Sequence, residues 1–128
     1  MRYSLLIASG AILAGCGQTN SVVDIPKAEL ECLASITVND ITTTIREATA
    51  AGAAPETLQT VQRDKTAEAV ERLGQLYPGD KAASSLVTEV NFRLEMIQDA
   101  LSNRSPGSKA NQVMDETFEL AKTCTFDG

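Results

Sequence analysis

The sequence predicts an all-α domain, a small up-down-up-down four-helix bundle. Two observations predict it. Four stretches carry apolar residues spaced three and four apart, the repeat that gathers side chains on one face of an α-helix. The breaks between them are short and rich in Gly and Pro, and helices joined by short turns pack most simply as antiparallel neighbours.

The first helix is expected from about Lys27 to Ala51, with Leu30, Ala34, Val38, Ile41, Ile45 and Ala48 on one face. Its middle, from Ile36 to Ile45, is rich in β-branched residues, which lower helix propensity and suit strands, so its continuity is in question. Gly52 suits the end of this helix and Pro55 the first turn of the next. The second helix is expected from Pro55 to Tyr77, burying Leu58, Val61, Ala69, Val70, Leu73 and Leu76 around a solvated polar stretch from Gln62 to Thr66. Tyr77-Pro78-Gly79-Asp80 then stops one helix and restarts another, with Asp80 as its cap.

The third helix, Lys81 to Asn103, has the clearest repeat: Ala83, Val87, Val90, Leu94, Ile97 and Leu101. Alternating steps of four and three let a helix pack nearly parallel to its neighbours. After a turn from Asn103 to Ser108, Ser108 can cap a last helix reaching about Cys124. That helix is expected to bury Ala110, Val113, Met114, Thr117, Phe118 and Ala121. The sequence contains neither an internal repeat nor a low-complexity tract.

The first fifteen residues have the parts of a secretory signal: Arg2, an apolar core from Leu5 to Leu13, and small residues after it. The apolar core is far shorter than the roughly 20 residues a spanning helix needs. It ends in Leu13-Ala14-Gly15-Cys16, which resembles the lipobox of bacterial lipoproteins. The resemblance covers about sixteen residues and implies a processing route: cleavage before Cys16 and acylation of that cysteine, with palmitate-type chains as the anchor. Two or more chains hold a protein to a membrane stably. It also implies residence in the bacterial cell envelope. Gly17 after the lipid cysteine, in place of Asp, implies the outer membrane, facing the periplasm.

On this reading residues 1–15 are a signal peptide, 16–27 a lipidated flexible tether, and 28–128 the helical bundle domain. The tether, Gly17 to Lys27, would span on the order of 20 Å. The mature chain keeps ten basic residues against seventeen acidic ones, a net charge of −7. That balance argues against nucleic acid as a partner and against electrostatic docking on anionic lipid, which leaves the acyl chains at Cys16 as the membrane attachment.

With Cys16 consumed by lipid, Cys32 and Cys124 remain in an oxidising compartment and are expected to form a disulfide. In a bundle with an even number of helices, the start of the first and the end of the last lie together, where these cysteines sit. One detail resists: at about 100° per residue, Cys32 falls off the centre of the Leu30 to Ala48 stripe, which predicts an irregular first turn or a rotated helix.

Nothing points to catalysis. The chain has no histidine, the commonest general base and metal ligand, and the bridge would leave no thiol as a nucleophile. A phosphate-binding glycine loop and a nucleophile elbow are both missing from the sequence. Ser84 and Ser85 near Lys81 have no supporting pattern. Glu95 with Asp99, and Asp115 with Glu119, are carboxylates at helical spacing and are read as solvated faces; neither a metal nor another cofactor is expected. Glu89 with Arg93, and Glu68 with Arg72, read as ordinary surface pairs.

Phe92 and Met96 lie opposite the stripe of the third helix, where an amphipathic helix would be polar. Either that helix is central and covered on two sides, or the pair is a surface for a partner. The sequence therefore leads to a non-enzymatic, lipid-anchored, protein-binding module facing the periplasm. Immunity lipoproteins, inhibitors of wall-degrading enzymes and accessory subunits of envelope machines share that plan by analogy. The alternatives are a structural, self-associating envelope lipoprotein and a carrier of a small ligand or lipid.

Overall fold

The computed structural model describes residues 25–103 and 107–127, which form four α-helices: α1 (Lys27–Ala50), α2 (Pro55–Gly74), α3 (Asp80–Asn103) and α4 (Lys109–Thr123). The signal peptide, Cys16 and the tether as far as Asp24 lie outside the described residues.

Helices α1 and α3 each pack against all three others, and α1 buries the wider face and is the more central. Its threonines do not interrupt it. The hydroxyl of buried Thr37 donates to the Leu33 carbonyl at 2.7 Å, so it is satisfied inside the helix, and burial of the surrounding apolar face outweighs the weak local propensity. The helix ends where Gly52 turns into the left-handed region at φ 86°. There the Ala53 N–H reaches the Ala48 carbonyl at 2.9 Å and the Gly52 N–H reaches that of Thr49 at 3.0 Å, the paired bonds of a Schellman motif. Pro55 then opens α2, at a position whose N–H has no helical acceptor to lose.

The central position of α1 also accounts for Cys32. Cys32, Leu33, Ala34, Ser35, Thr37, Val38 and Ile41 are all buried, a face far wider than the expected stripe, so the cysteine is inside the contact zone without any irregular turn. Cys32 and Cys124 are bonded, with Cα atoms 6.0 Å apart across 92 residues of chain, and this closes the start of α1 onto the end of α4. Tyr77 tightens the same end by donating to Glu29 Oε1 at 2.7 Å. Midway along the bundle Lys65 pairs with Asp40 at 3.1 Å, anchoring the polar middle of α2 to α1. The hydrogen bond to Asp40, and then its charge, hold the Lys65 ammonium above its ordinary pKa.

Four boundaries or faces differ from expectation. Helix α2 ends at Gly74, three residues before Tyr77, and the chain turns as the Tyr77 N–H meets the Leu73 carbonyl at 2.8 Å, leaving Leu76 exposed. Asp80 is the first helical residue of α3 and not its cap. The buried face of α3 is Ala82, Leu86, Val90, Arg93, Ile97 and Ala100, the expected repeat rotated by one position, while Val87 and Leu101 are exposed. Small Ala82 and Ala100 allow close helix approach, and Arg93 occupies a place where a hydropathy pattern admits only apolar residues. Finally, Arg72 is not an ordinary surface partner of Glu68. Its Nη2 donates to the Phe126 carbonyl at 2.8 Å and its guanidinium lies 5.5 Å from that ring's centroid, pinning the chain end over α2 with Phe126 buried in the core.

The remaining cap follows the sequence. Ser108 Oγ accepts from the Asn111 N–H at 3.1 Å and starts α4, which buries Ala110, Val113 and Thr117 and half-buries Met114, Phe118 and Ala121.

Candidate functional site

The most elaborate polar arrangement surrounds Arg93, whose side chain is only 2% exposed. An arginine cannot shed its charge, so burying it is costly unless its donors are paired. Helix α3 supplies the first partner from one turn away: Nε donates to Glu89 Oε2 at 2.9 Å. Helix α4 supplies two more, because Nη1 donates to Glu116 Oε1 at 3.0 Å and to Thr117 Oγ1 at 2.9 Å. From α1, Glu31 Oε2 stands 3.9 Å from Nη2 and the same distance from Lys27. The Thr117 hydroxyl in turn donates to the Val113 carbonyl at 2.7 Å, so it both accepts and donates. Glu89 and Arg93 are thus part of a network joining three helices, and the expectation of an ordinary surface pair is corrected.

Three carboxylates surround one guanidinium, and Lys27 beside Glu31 and Lys109 at the edge of the same opening offset the remaining negative charge. Each carboxylate can accept about four hydrogen bonds, and Arg93 fills only a fraction of that capacity. Glu116 is 56% exposed and presents its charge to solvent. A cleft of about 360 Å³ opens here, edged by Glu31, Glu89, Glu116, Lys109 and Phe92. Phe92 is 40% exposed, so this face of α3 is left uncovered even though α3, like α1, packs against all three other helices. Met96, one turn further on, is half-buried and does not line the cleft.

Other openings lie elsewhere among the described residues. A groove of about 550 Å³ between α2 and α3 runs along Gln62, Thr66, Val70, Val87 and Asn91. A cleft of about 410 Å³ lies where α1, α3 and α4 meet, between Ile45, Ile97, Leu101, Met114 and Phe118. Glu95, Asp99, Asp115 and Glu119 are exposed, and Asp99 accepts a hydrogen bond from Asn103. No group of three residues able to hold a metal ion occurs among the described residues. No helix among them is long and apolar enough to cross a membrane.

The sequence reading singled out Phe92 but missed the charged ring beside it. A signal was present: Leu86, Val90, Arg93, Ile97 and Ala100 keep the four-and-three repeat, with an arginine in an otherwise apolar row and a glutamate four residues before it. Comparison with protein-family models, with curated proteins and with solved structures finds no match for this chain.

Proposed function

We propose that this protein is a lipid-anchored, non-enzymatic binding module of the bacterial cell envelope, held to the outer membrane through Cys16 and presenting its helical domain to a protein partner in the periplasm. One observation carries the reading: an exposed aromatic ring, Phe92, stands at the rim of a cleft bordered by Glu31, Glu89 and Glu116. An aromatic face beside carboxylates suits a lysine or arginine of the partner, which can stack its cation on the ring while its donors meet the acids. Arg93 holds two of those carboxylates in place before binding, so less side-chain entropy is lost on association. The contact that suits this site is accordingly a single lysine or arginine of the partner, seated between Phe92 and Glu116.

The test is a photoreactive residue at position 92 of the tethered protein in its native host. One dominant crosslinked partner with a lysine or arginine at the contact supports the reading, and Glu116→Lys should abolish that crosslink while Glu95→Lys, away from the cleft, should not. A crosslink only to other copies of this chain would favour the structural, self-associating alternative, and no crosslink would remove Phe92 from the site.

A further inference from the structure

The cleft where α1, α3 and α4 meet is separate from the Phe92 surface and has different chemistry. Its walls are Ile45, Ile97, Leu101, Met114 and Phe118, and its volume of about 410 Å³ lies within the range of small-molecule sites. Ile97 is buried, Ile45, Met114 and Phe118 are half-buried, and Leu101 at the edge is 55% exposed, next to the buried Ala100. Met114 is a flexible wall able to adapt to an occupant.

The polar groups narrow the choice of occupant. In a chain with seventeen acidic residues and eleven basic ones, no carboxylate among the described residues lines this cleft. Its polar lining residues among those described are Thr42 and Arg46. The Thr42 hydroxyl donates to the Asn39 carbonyl at 3.1 Å, so its proton is engaged. The exposed Arg46 guanidinium has no ion-pair or hydrogen-bond partner among the described residues. An apolar slot with one unpaired, forked cation at its side matches a molecule with an alkyl chain and an anionic head, and the planar guanidinium matches a carboxylate in particular.

We infer that this cleft is a binding site for an alkyl carboxylate of medium chain length, with the chain between Ile45, Ile97, Leu101, Met114 and Phe118 and the carboxylate on Arg46. The inference stands independently of the partner surface at Phe92. A protein side chain entering the same slot is the competing occupant, and it predicts no affinity for the small molecule alone.

The test uses residues 17–128, exported behind a non-lipoprotein signal so that the disulfide forms without acylation; every described core residue falls between Ile25 and Phe126. Methyl and backbone NMR shifts are followed on titration with decanoate below its micelle concentration and, in parallel, with the uncharged decanamide. The expected result is a saturable shift confined to Ile45, Arg46, Ile97, Leu101, Met114 and Phe118, weaker binding of decanamide, and a loss of about three- to tenfold in decanoate affinity for Arg46→Gln. Arg46 is exposed, so this variant should fold, and an unchanged circular dichroism spectrum and melt would verify it. Leu101→Trp, which fills the rim, should block both ligands. Shifts that spread without saturation, equal affinity for decanoate and decanamide, or an Arg46→Gln variant that binds decanoate as well as the parent would each overturn the inference.

Discussion

Arg93 on α3 and Glu116 on α4 meet at 3.0 Å with the guanidinium buried and the carboxylate half in water. The contact fastens the last helix to the third, Glu89 braces the guanidinium from within α3, and Glu31 extends the network to α1. Removing Arg93 strands three acids against one another and deletes a long packed side chain. Arg93→Ala should therefore cost about 2 to 4 kcal/mol, a fall in Tm on the order of 10 °C or more by calorimetry. Arg93→Lys should recover little, because one ammonium cannot reproduce the forked contacts to Glu89, Glu116 and Thr117. A loss below about half a kcal/mol would return the pair to the status of a surface ion pair.

The Cys32–Cys124 bridge closes a loop of 92 residues. In the chain-entropy account a loop of that length contributes about 4 to 5 kcal/mol. Reduction, or the double change Cys32→Ala with Cys124→Ala, should lower the melting temperature by many degrees and loosen the Phe126 end first, readable as faster amide exchange at Cys124 to Asp127. An unchanged melt would mean that the bundle does not depend on the bridge.

Ser35 is fully buried in α1 and its hydroxyl has no hydrogen-bond partner. Replacing it with Ala removes an unsatisfied polar atom and installs a better helix former. Ser35→Ala should stabilise the protein by about 1 kcal/mol in a urea titration. A destabilised variant would indicate that the hydroxyl is satisfied in solution.

Tyr77 is the one tyrosine left once the segment holding Tyr3 is removed, so its ionisation can be followed alone by absorbance near 295 nm. Its hydrogen bond to Glu29, followed by burial and that residue's charge, raises its pKa above the ordinary 10.0. A raised folded-state pKa means the bond's contribution is complete below the unfolded value of 10.0 and is lost as pH climbs through the folded value. Glu29→Gln should move the titration down toward 10.0, and the stability difference between parent and variant should shrink above that pH. An unshifted midpoint in the parent would show that the bond is not kept in solution.

Acylation at Cys16 is open to direct test. Cells fed labelled palmitate should incorporate it into the parent protein and not into Cys16→Ser, and the mature N-terminal peptide should carry the mass of cysteine plus acyl chains. An unmodified N-terminus beginning elsewhere would remove the anchor from the proposed function.

The sequence by itself determined the helices and most of their ends, because those are set within a few residues: the four-and-three apolar repeat, Gly52 in its left-handed turn, Pro55 at a first helical position and Ser108 as a cap. It also determined the pairing of Cys32 with Cys124, since an even number of helices returns the chain to its starting end. Phe92 was legible as an apolar residue out of place on its helix. What only the tertiary structure decided is which helix is central, how α3 is rotated, and what surrounds Arg93 and Arg72. A hydropathy repeat scores arginine as outward-facing, and its burial becomes tolerable only when Glu31, Glu116 and Thr117 arrive from two other helices. The physical reason is that the free energy of a buried charge depends on partners distant in sequence, whereas the apolar spacing and the caps that mark a helix are written within a few residues of one another.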